Sequence, residues 1–279
     1  MQFRYLSSIQ HPERMDAGKF QKVSAMAWSP NGMRLAVATV SRRIFLYDEE
    51  GKERDRFNTK PASKNGARNY LIRDIAFNPD STRLAVAQSD NIVFVYKLGS
   101  NWGDKKTICN KFLRNVSVTC MCWPLKRPNE IVFGLADGQV MVGVLKNNKA
   151  FRLFSTDSYV VSLAPSPSGH GFISGHLNGK VHRYAFRHPS GGKAGESNSL
   201  LFRAPYVPYC LAHGAHITVA GNTGQVQFWN EHGEHIQTFT HTLQPSREDA
   251  TGMETPDSAR SSIKEFTVAK FNPTGQTVV

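Results

Sequence analysis

Two stretches of the chain decide its fold, AMAWSPNGMRLAVA at residues 25–38 and DIAFNPDSTRLAVA at residues 74–87. They begin 49 residues apart, and seven of the fourteen aligned positions hold the same amino acid. The match extends further, because IFLY, which ends at Tyr47, aligns with VFVY, which ends at Tyr96. A period of this length is typical of proteins built from repeated structural units.

The repeat can be followed along the chain through three marker positions. The first is occupied in successive units by Trp28, Phe77, Trp123, Pro165, His213 and Phe271. A later one is occupied by Tyr47, Tyr96, Gly143, Tyr184 and Trp229. Between them lies a pair typical of turns, found as Ser41-Arg42, Asp90-Asn91, Asp137-Gly138, Asn178-Gly179 and Thr223-Gly224. Asp-Gly and Asn-Gly pairs supply the positive φ angles that tight hairpins require.

Short apolar runs between these markers, such as NIVFVY, EIVFGL and HITVAG, indicate β-strands rather than helices. Four antiparallel strands in a unit of this length are typical of a WD-repeat β-propeller blade. The sequence therefore predicts an all-β propeller with five complete four-stranded blades, and Trp28, Phe77, Trp123 and Phe271 as core residues. The predicted blades cover approximately 23–57, 70–112, 116–154, 159–203 and 207–239.

Residues 265–279 resemble the beginning of a sixth blade, which stops inside its second strand at Val279. We therefore expect residues 1–279 to form a partial propeller that is truncated before ring closure, with residues 1–9 contributing an outer strand to the closing blade. An open blade edge predicts self-association of the isolated chain. The polar segments 187–199 and 243–262 are rich in Gly, Ser and Pro and are predicted to be flexible loops.

Composition limits the possible functions. The chain has 34 Lys and Arg against 22 Asp and Glu, a formal net charge of +12, and 40% hydrophobic residues. This is enough apolar material for a folded core, but no run is long enough to span a membrane. Four scattered cysteines predict reduced thiols in a cytosolic compartment. The positive charge permits binding to anionic lipid or nucleic acid without requiring it.

The sequence contains no convincing motif for catalysis, cofactor binding or metal binding. The segment from Gly175 to Lys180 resembles a phosphate-binding loop, but its glycines are too close together and no Ser or Thr follows the lysine. It fits better as a hairpin turn. The ten histidines are dispersed and form no recognisable catalytic or metal-binding pattern. The sequence predicts that the protein is not an enzyme and needs no cofactor.

Longer motifs add a resemblance. DEEGKERDRFNTKPA at 48–62, NWGDKKTICNKF at 101–112, VFGLADGQV at 132–140 and SYVVSL at 158–163 are more specific than a general WD-repeat pattern. Together they resemble the N-terminal WD-repeat region of the largest WD-repeat subunit of intraflagellar transport complex B. The resemblance implies a non-enzymatic scaffold that supports assembly of cilia and flagella and cargo transport along the axoneme. It also implies the other complex B subunits as partners, and location in the cytoplasm, the ciliary base and the cilium.

Five cations are candidates for contact with a partner. Arg42 and Arg43 lie in the second turn of the first blade, and Lys60, Lys64 and Arg68 lie in the connection to the next blade. Because the chain reverses at every strand, this turn and this connection emerge on the same side of the sheet. The five cations are therefore expected to converge on one rim. An acidic protein surface such as a tubulin tail, or an anionic membrane, would fit this rim.

Two alternatives to that interpretation stay open. The rim could be an ordinary solvated surface, since exposed charges usually have no specific partner. Nucleic acid is the weaker ligand, because no aromatic residue is interleaved with these cations. Trp102 is a further candidate, since it lies in a predicted turn. It is expected either to cap its own blade or to anchor a partner protein.

Overall fold

The computed structural model describes residues 22–63, 69–186 and 197–240. Every regular element in these ranges is a β-strand, and the twenty strands form five four-stranded antiparallel sheets. No helix suited to crossing a bilayer is found in the described ranges. The all-β fold with five four-stranded blades is therefore confirmed.

The chain divides into two compact units, and the first, Met1–Thr156, contains three described sheets. Blade 1 consists of β1 (Val23–Trp28), β2 (Leu35–Thr39), β3 (Arg43–Tyr47) and β4 (Glu53–Asn58). Blade 2 consists of β5 (Ile72–Phe77), β6 (Arg83–Gln88), β7 (Ile92–Lys97) and β8 (Thr107–Leu113). Blade 3 consists of β9 (Val118–Cys122), β10 (Glu130–Leu135), β11 (Gln139–Val144) and β12 (Lys149–Ser155).

The second unit, Asp157–Val279, contains two described sheets. Blade 4 consists of β13 (Val160–Pro165), β14 (Gly171–His176), β15 (Lys180–Ala185) and β16 (Ser197–Arg203). Blade 5 consists of β17 (Cys210–His213), β18 (Ile217–Ala220), β19 (Gln225–Trp229) and β20 (His235–Thr240). In every blade the strands pair in chain order, so each strand follows its neighbour through a simple hairpin.

The strand register confirms that the tyrosine and tryptophan markers are equivalent. In each blade the marker on the third strand faces a residue on the second strand, in the pairs Leu35–Tyr47, Leu84–Tyr96, Ile131–Gly143, Phe172–Tyr184 and Ile217–Trp229. The turn marker is equally regular. Its second residue has a positive φ in all five blades, at Arg42, Asn91, Gly138, Gly179 and Gly224. The sequence period thus corresponds to one blade.

Apolar side chains from adjacent blades form the cores within each unit. One cluster joins blades 1 and 2, a second joins blades 2 and 3, and a third joins blades 4 and 5. Phe77 and Trp123 are buried in these layers, as predicted. The same residues that form the repeat pattern therefore hold neighbouring blades together.

Trp28 does not follow the prediction, because 52% of its surface is exposed. Ala25 and Ala27 of β1 pack into the core shared with blade 2. Side chains alternate along a strand, so Met26 and Trp28 lie on the opposite face. Among the described strands, β1 packs chiefly against β2 and β5. The repeat identified an equivalent position in the blade, but burial there depends on a neighbouring sheet.

One loop prediction also needs correction. Ser197, Asn198 and Ser199 were predicted to belong to the flexible segment 187–199, but they form the start of β16. They pair with β15 as far as Ala185, at the loop end of the hairpin, because backbone hydrogen bonds between strands do not require apolar side chains. Several further predictions lie outside the described residues, namely those for 1–9, 187–196, 243–262, 265–279 and Phe271.

Candidate functional site

The candidate site is the basic rim of blade 1, which comprises Arg42, Arg43 and Lys60. Arg42 ends the β2–β3 turn, and Lys60 follows β4 by two residues. The backbone N–H of Thr59 donates to the carbonyl oxygen of Arg42 at 3.0 Å, so the turn and the inter-blade connection lie side by side. The backbone segments that carry these three cations therefore lie next to each other. Lys64 and Arg68 lie outside the described residues.

Arg42 is held in an unusual backbone conformation. Its φ is +68°, in the left-handed region that side-chain-bearing residues seldom adopt. The carbonyl of Arg42 accepts a second hydrogen bond, from Thr59 Oγ1 at 3.0 Å. Its guanidinium carbon lies 5.5 Å from the centre of the Tyr70 ring, within range of a cation–π contact. Arg42 is consequently an organised part of the turn.

Tyr70, the aromatic residue that Arg42 contacts, is almost completely buried. Its hydroxyl lies 3.0 Å from Thr59 Oγ1, and burial raises the pKa of the phenol. A base of a nucleic acid cannot stack on a ring that is covered in this way. The rim thus offers charge and hydrogen-bond donors, and Tyr70 adds no stacking surface to it.

The side chains of the other two cations, Arg43 and Lys60, differ in their exposure to solvent. Arg43 is half-buried, and its Nε–H donates to Asn58 Oδ1 at 3.1 Å. Lys60 has an exposed side chain, while its backbone N–H donates to the hydroxyl of Tyr96 at 3.3 Å. The backbone around Lys60 is therefore fixed and its ammonium group is available to solvent. An ammonium group in this situation can meet carboxylates or phosphates.

Sequence reasoning missed one member of this surface. Arg56, on β4, lines a cavity of about 280 Å³ together with Arg43, Phe57 and Asn58. A signal was present in the sequence, because alternate positions of ERDRFN hold Arg54, Arg56 and Asn58, and the structure leaves these three exposed. Arg43 and Asn58 are register partners, and Arg56 faces Phe45, two residues further along β3. The cationic surface of blade 1 therefore continues from the turn onto the outer strand.

Trp102 lies between two blades and does not simply cap its own. It is half-buried and packs against the core shared by blades 1 and 2. The guanidinium carbon of Arg34, from the β1–β2 turn, lies 4.8 Å from the centre of its ring. An Nη2 group of Arg34 also donates to the carbonyls of Gly99 and Ser100, both at 3.0 Å. We call this set the Arg34–Trp102 clamp.

A buried ion pair lies close to the clamp. Lys106 of blade 2 contacts Asp55 of blade 1, and both side chains are largely shielded from solvent. The same carboxylate accepts the backbone N–H of Gly103 at 2.9 Å. Burial, and to a lesser degree the charge of Arg34, lowers the pKa of Lys106. Charge therefore contributes directly to the contact between these two blades.

The segment that resembled a phosphate-binding loop has an ordinary structural role. The segment from Gly175 to Lys180 is the β14–β15 hairpin, as expected. The described part of the chain contains no group of three or more His, Cys, Asp or Glu residues arranged to hold a metal ion. All four cysteines are free thiols, and three of them are buried.

Comparison with known proteins agrees with the observed architecture. The WD domain, G-beta repeat family matches residues 14–48 and 60–97. The β-propeller domain of Cps50 (Swd1) from Myceliophteria thermophila superposes with a TM-score of 0.66 over 92% of this chain and 78% of that one. The two sequences are 12% identical, so this likeness concerns the fold alone.

Several curated proteins share a much higher sequence identity with this chain than that structure does. Intraflagellar transport protein 172 of Chlamydomonas reinhardtii is 42% identical over 283 residues, and the Homo sapiens homologue is 41% identical over 281 residues. The Caenorhabditis elegans relative, intraflagellar transport protein osm-1, is 34% identical over 281 residues. These alignments cover 100% of this chain but only 15%, 15% and 14% of the respective relatives.

Proposed function

The chain matches the N-terminal WD-repeat region of the intraflagellar transport protein 172 homologues along its whole length, and from this we propose that it is the scaffold propeller of an intraflagellar transport subunit. In this role it supports the assembly of cilia and flagella and the movement of cargo along the axoneme. The observation that carries the proposal is the identity of about 41% over all 279 residues.

The proposed role is non-enzymatic. Rigid blades present turns and connections at fixed positions, which suits a surface that holds other proteins. The other subunits of complex B are the proposed partners, and the cytoplasm, the ciliary base and the cilium are the proposed locations. Replacement of the endogenous gene by a version that lacks residues 22–240 tests this role. Loss of cilia together with loss of co-purifying transport subunits supports it, and normal cilia contradict it.

The basic rim of blade 1 is the proposed contact for an acidic protein surface. Lys60 exposes its ammonium group, and guanidinium groups are added by Arg43 at the start of β3 and by Arg56 on the outer strand β4. Guanidinium groups bind carboxylates through paired hydrogen bonds, and such contacts weaken as salt rises. A tubulin tail or an acidic face of another transport subunit has the required charge. Lipid and nucleic acid are the weaker alternatives, and Tyr70 offers no exposed ring for stacking.

Charge reversal tests the rim without disturbing its framework. Lys60→Glu and Arg56→Glu change exposed side chains, whereas Arg42 supports the turn and is better left unchanged. Lys149→Glu, on the exposed outer strand of blade 3, is the matched control. We expect the rim variants to lose salt-sensitive co-purification of transport subunits, and the control to retain it. Binding to phosphatidylserine vesicles that falls with the same variants would instead identify a membrane.

A further inference from the structure

A second surface lies in the second unit, at the connection from blade 4 to blade 5. A pocket of about 450 Å³ opens there, and the side chains that matter are Leu177, Arg203, Pro205 and Val207. Leu177 begins the β14–β15 turn, and the other three belong to or follow β16. The volume is within the range of natural ligand pockets. None of these residues belongs to the basic rim of blade 1.

Large apolar side chains stand exposed around this pocket. Tyr159, Leu177 and Tyr209 are 54%, 43% and 46% exposed. The backbone N–H of Leu177 donates to the carbonyl of Tyr159 at 2.9 Å, and that of Tyr209 donates to the carbonyl of Val207 at 2.9 Å. Leu177 thus lines the pocket, and the backbones of Tyr159 and Tyr209 are bonded to residues that line it. Single exposed apolar residues need no explanation, but a cluster marks a binding surface.

The floor of the pocket is rigid. Gly179 has a φ of +83°, and a Cβ placed there would lie 2.6 Å from the carbonyl oxygen of Ala204. A Cβ on Gly221 would lie 2.4 Å from the carbonyl oxygen of Val207. Both glycines let the connection lie directly on the blades. The buried Tyr206 then fixes it, since its hydroxyl donates to the carbonyl of Val219 at 3.0 Å. A preformed surface loses little conformational entropy when a ligand binds.

One end of the pocket is cationic. The Nε–H of Arg203 donates to the carbonyl of Asn178 at 3.2 Å, which orients the guanidinium group. Its terminal nitrogens have no acceptor among the described residues, so their donors remain available. Lys180, which pairs with Arg203 across β15 and β16, adds a second positive charge. An oriented guanidinium with free donors is suited to a carboxylate.

We propose that this pocket binds an extended segment of another protein in which an acidic residue lies next to a large apolar residue. The carboxylate meets Arg203, and the apolar side chain lies against Leu177 and Pro205, with Tyr159 and Tyr209 at the edges. Because the pocket has apolar walls, an acidic segment without a large apolar side chain should bind weakly. Because Arg203 is cationic, an uncharged apolar segment should also bind weakly. The proposal is independent of the scaffold role and of the basic rim.

Peptide selection tests the proposal with a defined probe. A phage library of random twelve-residue peptides is selected on the immobilised full chain, and enriched peptides are measured by fluorescence anisotropy. We expect a class of peptides with Asp or Glu within two positions of Leu, Ile, Phe, Tyr or Trp. Members of this class should lose at least tenfold in affinity for both Arg203→Glu and Leu177→Asp.

Matched variants distinguish binding at this pocket from nonspecific binding of peptides to exposed apolar residues. Leu200→Asp removes a leucine that is 54% exposed on β16 outside the pocket, and it should leave affinity unchanged. Arg203→Gln removes the charge with a smaller steric change, and it should weaken binding in the same direction. Melting curves confirm that each variant is folded. The proposal is overturned if no such peptides are enriched, if they bind the Arg203 and Leu177 variants normally, or if Leu200→Asp has the same effect.

Discussion

The junction between blades 1 and 2 and the junction between blades 4 and 5 join equivalent elements by different means. The first uses charge, through the Arg34–Trp102 clamp and the buried Asp55–Lys106 pair. The second uses close backbone contact at Gly179 and Gly221, together with a parallel stack of Phe202 on Trp229 whose ring centres are 4.1 Å apart. The repeat thus determines where blades meet, and individual side chains determine how each junction is stabilised.

The difference predicts different weaknesses. A junction that depends on buried charge is vulnerable to removal of one partner, because the other is left without compensation. A junction that depends on close packing is vulnerable to added volume, because backbone atoms cannot move aside easily. Four changes test this contrast.

Asp55→Asn should cause the largest loss of stability. The substitution leaves Lys106 buried without its counter-charge, and removal of one partner of a buried pair costs about 3 to 5 kcal/mol. Urea unfolding measures the change. Glu130→Gln is the control, because the Arg127–Glu130 pair is partly exposed and should contribute less than about 1 kcal/mol. Equal losses in the two variants would show that the Asp55–Lys106 pair has no special role.

Acidification should weaken blades 4 and 5 specifically. Burial lowers the pKa of His176 and of His213 to about 4, and the described residues of the first unit contain no histidine. The Nδ1–H of His176 donates to the Ser158 carbonyl, so its Nε2 accepts from Ser174, and this arrangement requires the neutral ring. The unfolded chain binds protons below about pH 6.5, whereas the folded chain resists them.

Stability should therefore be intact above pH 6.5 and fall as the pH decreases towards 4, by about 3 kcal/mol for each histidine. His213→Phe removes one titrating group and keeps a ring at a position where Phe77 and Trp123 stand in other blades. This variant should lose less stability between pH 7 and pH 4.5 in thermal melts. His232→Phe, at an exposed turn position, is the control and should retain the normal pH dependence.

Gly179→Ala tests the close packing of the second junction. The methyl group would collide with the Ala204 carbonyl and would also need a positive φ, so we expect a loss of about 2 to 3 kcal/mol. Gly32→Ala is the matched control, since Gly32 also has a positive φ but has open space around its Cβ position. The difference between the two variants in chemical denaturation isolates the steric part. A similar loss in both would mean that only the backbone conformation matters.

Arg34→Lys should have the smallest effect. A lysine keeps the charge but cannot reproduce the planar contact with Trp102 or the two hydrogen bonds to Gly99 and Ser100, so we expect a loss of about 1 kcal/mol. Tryptophan fluorescence should show increased exposure of Trp102. Arg152→Lys, on the exposed face of β12, provides the comparison and should be neutral. An unchanged spectrum in Arg34→Lys would show that the clamp does not cover the ring.

Part of the candidate site could be predicted from the strand pattern. Alternating chain direction was enough to place the turn that carries Arg42 and Arg43 on the same side of the sheet as the connection that carries Lys60, and a backbone hydrogen bond joins the two. The pocket beside Leu177 was missed. A periodic signal existed, because the residue that precedes the first strand is apolar in blades 2, 4 and 5, as Leu71, Tyr159 and Tyr209. Whether these apolar residues mark a binding surface depends on how exposed their side chains are, and the repeat alone does not reveal that.

The sequence by itself determined the repeat, the equivalent marker positions of successive blades and the tight turns between strands. These properties depend on local backbone geometry and on side-chain period, both of which can be read from neighbouring residues. Only the tertiary structure decided that Trp28 is exposed, that Arg34 covers Trp102, and that Arg203 and Leu177 share a pocket. Each of these depends on which distant segment packs against a given residue, and equivalent positions in a repeat can have different neighbours.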